Sequence, residues 1–252
     1  KLMCNEIFNI SNFVISIAWQ KRYSRENRGA IGDSHEYILI YATNPDVFKE
    51  TRNYLPLTEK QLKAYSNPDN DPRGLWQSVS LLAQGYRPNQ MYEIVAPNGK
   101  VHLPPEGNCW KVVQSEYERA LAEGRVTFGS DGNGVPRRKQ FLNESKGLVP
   151  WSWWPFDEVG HTDEAKKEMK AILGNITAFD TPKPVRLIER IVHIATKKDS
   201  VILDSFAGSG TTAHAVLNMN KKDGGNRKFI LVEMGDYADT ITAERVKRVI
   251  DG

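Results

Sequence analysis

Acidic, hydroxyl and glycine residues are concentrated in the segment V-I-L-D-S-F-A-G-S-G-T-T, which runs from Val201 to Thr212. Its apolar run, Val201–Leu203, predicts a buried strand. Gly208 and Gly210 allow the backbone that follows to approach a ligand closely. Together with Ala213, these glycines have the G-x-G-x-x-G/A spacing of nucleotide-binding βα units. The spacing therefore predicts a strand, a ligand-binding turn and a helix.

An acid follows at the distance along the chain that suits a ribose contact. Glu233 ends the apolar run Phe229–Val232, twenty residues beyond Ala213, and a carboxylate placed in this way accepts hydrogen bonds from ribose hydroxyls. A phosphate-binding P-loop needs lysine before its Ser or Thr, whereas this turn has Thr211 and Thr212, so ATP is disfavoured. We expect a cofactor that contains a ribose. A glycine turn that only reverses the chain is the structural alternative.

A second polar segment, T-P-K-P from Thr181 to Pro184, precedes a run with apolar residues at helical spacing. Pro184 suits the first turn of the predicted helix. Thr181 and Lys183 would then lie at a helix N-terminus, where a hydroxyl, an ammonium and free backbone N–H groups can hold a carboxylate. Taken alone, the same residues are more often a stiff linker ahead of a helix.

The two segments together resemble motifs of the S-adenosylmethionine-dependent DNA amino-methyltransferases. D-x-F-x-G-x-G-T-T is similar to their first motif, and T-P-K-P, ending seventeen residues before Val201, is similar to their tenth. This order is that of the β group, particularly the adenine-specific enzymes and the modification subunits of type III restriction systems. The resemblance implies that the turn wraps the methionine part of S-adenosylmethionine. The cofactor-binding residues expected on this basis are Thr181, Lys183, Pro184, Asp204, Phe206, Ala207, Gly208, Ser209, Gly210, Thr211, Thr212 and Glu233.

The catalytic tetrapeptide of the resembled enzymes, D-P-P-Y or S-P-P-Y, does not occur in the sequence. The Pro104-Pro105 pair lacks both the preceding acid and the following aromatic residue. In the β order the tetrapeptide would stand before Lys1, so we expect the chain to be a fragment without catalytic residues of its own and with little activity alone. The resemblance implies methyl transfer to adenine N6, with cytosine N4 left open, on a base flipped out of the duplex. No metal is expected, because the sulfonium already activates the methyl group.

Composition is that of a globular protein with enough apolar residues for a core. The chain has 252 residues, of which 40% are hydrophobic, and a formal net charge of +3. It contains no apolar run of membrane length and no initial signal peptide, so we expect an intracellular, cytoplasmic location. Cys4 and Cys109 are far apart and predict neither a zinc site nor a disulfide framework. Neither follows a proline, as the nucleophile of cytosine C5 methyltransferases does.

Basic residues occur in two clusters that suit contacts with the phosphates of double-stranded DNA. The first lies between two predicted N-terminal strands, and the second follows the glycine-rich turn at 129–134. Their members are Lys21, Arg22, Arg25 and Arg28 in the first, and Arg137, Arg138 and Lys139 in the second. For any single residue, a solvated loop position is an equally good interpretation.

We predict an α/β protein: an incomplete, mainly parallel, Rossmann-like methyltransferase sheet with helices on both faces and an inserted α+β module. Strands are predicted at Asn12–Lys21 and Ser34–Ala42. The expected domains are late catalytic strands at 1–45, an inserted target-recognition-like module at 46–160 and a cofactor-binding half at 161–252. The sheet edges beside Val201–Leu203 are expected to be exposed. Tryptophans 151, 153 and 154 are expected to pack two modules together, with base stacking as the alternative.

Other functional classes remain open from the sequence. A nicotinamide-dependent oxidoreductase would share the strand, the glycine turn and the ribose acid, but it would not need Thr181 and Lys183. A non-catalytic DNA-recognition or subunit-pairing module could also keep the cofactor fold. A second copy of the chain or a restriction subunit is a plausible partner, because enzymes of the resembled group often act in pairs.

Overall fold

The computed structural model describes residues 1–25, 29–174 and 179–252. They form two compact units: a first unit of residues 1–55 and 148–252, and a second unit of residues 56–147. The strands are β1 (Phe13–Gln20), β2 (His35–Tyr41), β3 (Trp76–Ser80), β4 (Leu82–Gln84), β5 (Ile94–Val95), β6 (Val101–His102), β7 (Asn108–Trp110), β8 (Val126–Thr127), β9 (Arg137–Phe141), β10 (Trp153–Trp154), β11 (Val201–Asp204) and β12 (Lys228–Leu231).

Helices connect and cover these strands. The α-helices are α1 (Leu2–Phe8), α2 (Pro45–Thr51), α3 (Glu59–Leu62), α4 (Gln114–Ala122), α5 (Phe156–Val159), α6 (Thr162–Leu173), α7 (Val185–Ala195), α8 (Thr211–Asp223) and α9 (Glu244–Asp251). A π-helix at Ala238–Ala243 runs directly into α9. Within the described ranges, no helix is both long and apolar enough to cross a membrane.

The N-terminal strands of the first unit form a sheet in the order β10-β1-β2. β1 pairs antiparallel with β2 and parallel with β10, which confirms the two strands predicted near the N-terminus. Trp19 and Trp154 are buried in the core of this unit, together with Leu187 of α7. Trp154 therefore packs inside the first unit, whereas Trp151 and Trp153 are largely exposed.

The strands of the predicted cofactor half form a parallel pair, β11-β12. The side chains of Ile202 and Phe229 pack against Val192 of α7 and Val216 of α8. On the opposite face the apolar side chains are more than half exposed, as at Val201 (62%), Leu203 (65%) and Ile230 (54%). The sequence-based expectation concerned the sheet edges beside Val201–Leu203: in the described ranges β11 pairs only with β12, so its other edge has no strand partner there.

The mixed α/β class is confirmed, but a single joint sheet is not found. In the described ranges, β11-β12 and β10-β1-β2 are separate hydrogen-bonded sheets, and no strand there pairs with both. The β11-β12 pair also carries its packed helices, α7 and α8, on one face. The sheet was predicted to be incomplete, and the two separate strand groups are compatible with that prediction. Its Rossmann-like arrangement stays a prediction.

The second unit is built from small antiparallel sheets in the orders β3-β9-β8, β4-β7 and β5-β6. Its core contains Ile94, Trp110 and Phe128. Its limits, 56–147, are narrower than the expected 46–160, because α2 and β10 belong to the first unit. At the junction, Leu55 and Leu148 pair in an antiparallel bridge, so the chain leaves and re-enters the first unit at neighbouring points.

Candidate functional site

The glycine turn joins the end of β11 to the start of α8 and depends on glycine at two positions. Gly208 has a φ of +53° and Gly210 a φ of +76°, a region that other residues rarely adopt. A Cβ at Gly208 would lie 3.1 Å from the ring of Phe179, and one at Gly210 would lie 3.1 Å from the carbonyl oxygen of Thr242. Backbone conformation and close packing therefore both require these glycines.

Asp204, the last residue of β11, closes the turn through its carboxylate. Oδ1 accepts from the backbone N–H of Phe206 at 3.2 Å, and Oδ2 accepts from the Thr212 hydroxyl at 2.5 Å. The phenyl ring of Phe206 is 85% exposed, whereas Ala207 is buried. The acid thus ties the strand end to the first turn of α8 and leaves an exposed aromatic ring between them.

Glu233 lies just beyond β12 and contacts the turn directly. Its Oε2 accepts from the Gly208 N–H at 2.7 Å, and its Oε1 accepts from the N–H groups of Met234 (2.9 Å) and Gly235 (2.8 Å). The N–H groups of Gly235 and Gly208 hold the pKa of this carboxyl below its usual range. The sequence predicted a ribose acceptor here but not the bond to Gly208, because that bond depends on the pairing of β11 with β12.

The inner side of the turn is held by a residue that sequence reasoning missed. Ser209 and Thr211 are buried, and both bond to the fully buried guanidinium of Arg245 on α9. Arg245 follows the buried Ile241 by four residues, so both lie on one helical face. A lone arginine on the apolar face of a helix is the signal that could have identified it.

The segment Thr181–Pro184 lies ahead of α7 as expected, but protein carboxylates already occupy its polar groups. Lys183 Nζ bonds Glu36 Oε2 at 2.7 Å, and Glu168 Oε2 accepts from the N–H of Val185 at 3.0 Å. Thr181 is exposed, and Pro184 is the residue that precedes the helix rather than one in its first turn. The expected carboxylate-holding groups are therefore engaged by Glu36 and Glu168.

The charges around this segment shift one another's proton affinity. Burial acts to raise the pKa of Glu36, but its bonds to Lys183 and Lys21 outweigh burial and lower that pKa. Burial also raises the pKa of Glu168, and here it prevails over the bond from Val185. Glu36 is thus kept ionised between two lysines at neutral pH.

The first basic cluster is only partly available for DNA. Lys21 bonds Asp33 at 2.9 Å and Glu36 at 3.3 Å, and these carboxylates raise its pKa. Arg22 and Arg25 are exposed. Arg28 lies outside the described residues. Lys21 is therefore part of an ion-pair group.

The second basic cluster, on β9, contains two exposed side chains and one buried side chain. Arg137 and Arg138 are exposed, and the guanidinium of Arg137 bonds the hydroxyl of Ser78 at 2.6 Å. Lys139 is only 7% exposed, and its ammonium pairs with Asp69 and, at 3.1 Å, with Asp71. The expectation that Lys139 contacts phosphate is corrected on this ground. Its side chain points to the buried face of β9, where two carboxylates neutralise it.

A groove of about 520 Å³ lies beside Glu233 and is lined by the apolar side chains of Phe229, Leu231 and Val246, with Thr242 and Lys247 at its edge. Its apolar surface next to a carboxylate is suited to a flat heterocycle joined to a sugar. Among the described residues, no group of three or more His, Cys, Asp or Glu side chains is arranged to hold a metal ion.

Comparisons with known proteins relate this chain to DNA-modifying enzymes. A family model described as DNA methylase matches residues 1–244. The chain is 35% identical to the Mod subunit of the type III restriction-modification enzyme StyLTI of Salmonella typhimurium, over 99% of the chain and 40% of that protein. It is 30% identical to the EcoPI Mod subunit of Escherichia phage P1, over 92% of the chain and 40% of that protein.

A type II enzyme gives a similar result. The methyltransferase M.KpnI of Klebsiella pneumoniae is 28% identical, over 92% of the chain and 58% of that protein. The chain thus spans about two fifths of the length of the type III relatives it matches. The match over residues 1–244 decides against the oxidoreductase alternative, and the chain belongs to the DNA methylase family.

Proposed function

We propose that this chain supplies the cofactor-binding half, and part of the DNA-contacting surface, of an S-adenosylmethionine-dependent DNA adenine N6-methyltransferase of a restriction-modification system. The observation that carries the proposal is the bond between Glu233 and Gly208, in a chain of the DNA methylase family. It closes the carboxyl ends of the neighbouring parallel strands β11 and β12, where open α/β folds bind their ligands.

The residues of the turn fit S-adenosylmethionine. A carboxylate has about four acceptor positions, so Glu233 can take a ribose hydroxyl in exchange for one of its bonds to Met234 or Gly235. The apolar groove beside it suits the adenine ring, and the exposed Phe206 lies on the turn that would face the methionine part. When bound, the cofactor supplies a methyl group activated by a sulfonium. The protein's part is to orient it and to exclude water.

Lys183 would serve this site by exchanging partners. Its ammonium bonds Glu36 in the structure, and the methionine carboxylate would compete for it. Thr181 is exposed nearby in sequence and can add a hydroxyl. We expect this contact to contribute less than Glu233, because an exposed ion pair must be broken to form it.

For DNA we propose Arg25, Arg137 and Arg138 as phosphate contacts, since these arginines are exposed. Lys21 and Lys139 are left out because carboxylates neutralise them. The target adenine would leave the stack before its amine is methylated. A restriction subunit or a second copy of the chain is the proposed protein partner.

Cofactor binding is tested by titration calorimetry of the chain with S-adenosylhomocysteine and, separately, with NAD. We expect S-adenosylhomocysteine to bind and NAD not to bind. The Glu233→Gln variant should bind at least ~10-fold more weakly, because one carboxylate oxygen becomes a donor. Asp236→Asn removes an exposed carboxylate three residues away and is the matched control. Binding of NAD in preference to S-adenosylhomocysteine would overturn the proposal.

Base specificity is tested separately, by incubating duplex DNA with labelled S-adenosylmethionine and analysing the nucleosides. Any methylated base should be N6-methyladenine. We expect the chain alone to methylate weakly or not at all, because its sequence contains no D-P-P-Y or S-P-P-Y. Efficient methylation by the chain alone would show that another segment performs this step.

A further inference from the structure

Arg245 is a charged side chain in the interior of the first unit. It is 0% exposed, and burial lowers the pKa of its guanidinium to about 10, which leaves it charged at neutral pH. Its hydrogen-bond partners in the described part of the chain are neutral, and the charge of Glu168 offsets only part of the effect of burial on that pKa. A charge in such surroundings is costly to bury, so its contacts indicate a specific task.

Those contacts converge on the glycine turn. Nη1 donates to the carbonyl oxygen of Ser209 at 3.2 Å, to the Ser209 hydroxyl at 3.0 Å and to the Thr211 hydroxyl at 2.9 Å. Nη2 lies 3.3 Å from Nδ1 of His214, one turn into α8. One planar group therefore holds both the middle of the turn and the start of the helix that follows.

The same group is connected to the second cofactor segment. The hydroxyl of Thr211 donates to the carbonyl oxygen of Lys183 at 3.2 Å. Residues 181–184 and 204–212 are separate in sequence, and the series Arg245, Thr211, Lys183 joins them by hydrogen bonds. Thr242, one turn before Arg245, adds a bond from its hydroxyl to the carbonyl oxygen of Gly208.

We propose that Arg245 is a positioning residue for cofactor binding. From the buried side of the turn, its guanidinium fixes Gly208–Gly210 against the Thr181–Pro184 segment. The proposal rests on the proposed cofactor site, although its effect on the turn is measurable without any cofactor. Arginine is required because its fork reaches the Ser209 carbonyl, the hydroxyls and His214 at once, whereas lysine offers a single nitrogen.

The test compares Arg245→Met with Arg248→Met in the whole chain. Arg248 lies on the same helix and also bonds main chain, at the Ile172 carbonyl, but it does not contact the turn in the described structure. Amide hydrogen exchange is followed at Gly208, which donates to Glu233, and at Gly210, which donates to Ala207. We expect exchange to quicken at least tenfold in Arg245→Met and to stay unchanged in Arg248→Met.

Calorimetry with S-adenosylhomocysteine gives the second readout. Its dissociation constant should rise at least tenfold in Arg245→Met, less in Arg245→Lys, and not in Arg248→Met. Thermal unfolding of each variant separates a local effect from general loss of stability. Wild-type protection at both glycines in Arg245→Met would overturn the proposal, whatever the cofactor affinity.

If Arg245→Met does not fold, amide exchange at Gly208 and Gly210 is measured in Arg245→Lys and Thr211→Val instead. Thr211→Val keeps the side-chain shape but removes the hydroxyl that links Arg245 to Lys183, and it should quicken exchange at Gly210. Unchanged exchange in both variants would contradict the proposal. If the wild-type chain fails to bind S-adenosylhomocysteine, the proposed function fails, while the exchange measurements still decide the role of Arg245.

Discussion

The glycine turn at 204–212 and the basic strand β9 differ in how far the environment of their polar residues can be inferred from the local sequence. In the turn, Asp204 and Thr212 bond each other, and the glycines adopt conformations that their residue type allows. In β9, neighbouring basic residues differ in exposure: Arg138 is exposed, whereas Lys139 is buried and pairs with Asp69 and Asp71. Local spacing therefore specifies the backbone course of the turn, whereas remote partners determine whether each basic side chain of β9 is exposed or buried.

The largest expected effect concerns the buried charge of β9. Replacing Lys139 by Met removes the cation bonded to Asp69 and leaves Asp71 with Arg73 alone; breaking this largely buried ion pair should lower the unfolding temperature of the second unit by about 15 °C. Arg138→Met on the same strand should lower it by less than about 3 °C. Calorimetric unfolding measures both. Equal decreases in unfolding temperature would show that the buried ion pairs of Lys139 add no stability beyond that of an exposed arginine on the same strand.

The turn is tested with glycines at the two ends of α8, both of which have positive φ. Gly210→Ala should cost about 2–3 kcal/mol, because left-handed strain adds to a close approach to the Thr242 carbonyl. Gly224→Ala meets open space and should cost only about 1 kcal/mol. Denaturant unfolding gives both values. If Gly224→Ala were the more damaging, the close approach to the Thr242 carbonyl would not account for the need for glycine at position 210.

The next prediction concerns His214, which contacts Arg245 at the start of α8, and the pH dependence of the free energy of unfolding. Burial, followed by the charge of Arg245, lowers the pKa of His214 to about 4. The unfolded chain then binds more protons than the folded chain between pH 6.5 and 4, so the contribution of neutral His214 is complete above pH 6.5 and is lost as the pH falls towards 4.

The full shift corresponds to about 3 kcal/mol, and because the imidazole of His214 is partly exposed, solvent screening should reduce the loss to about 2 kcal/mol. His214→Gln, which cannot be protonated, should flatten this part of the curve, whereas His35→Gln in the same unit should not. Denaturant unfolding at several pH values measures the slope. An unchanged slope in His214→Gln would exclude His214 as its source.

The smallest effect is expected at the exposed arginines of β9. Arg138→Gln should weaken DNA binding by about 0.5–1 kcal/mol and reduce the slope of log affinity against log salt by about 1, as the loss of one phosphate contact predicts. Arg119→Gln removes an exposed charge from α4 and is the control. Fluorescence anisotropy with duplex DNA at several salt concentrations measures both. An equal change in the control would indicate a general charge effect.

Features that depend on a short stretch of sequence could be predicted. The N-terminal strands, β11, β12 and α8 follow from apolar runs and glycines, and the glycine turn follows from its spacing. The partners of Arg245 and of Lys139 could not be predicted, because they lie more than thirty residues away in sequence. The same holds for Glu36, which meets Lys183 only in the folded chain. The arrangement of β11-β12 relative to β10-β1-β2 in one incomplete sheet stays a prediction, because the sequence of a strand does not specify its neighbours.

The bridge between Leu55 and Leu148 has a consequence for how this protein can change over evolutionary time. Because the chain departs and returns at adjacent residues, the segment from 56 to 147 can be lengthened, shortened or exchanged while the hydrogen bonds of the cofactor turn stay intact. The entropy of closing a longer insertion rises only slowly with its length. If this segment selects the DNA target, as the sequence leads us to expect, recombination within it could recruit new target sequences without rebuilding the proposed cofactor site.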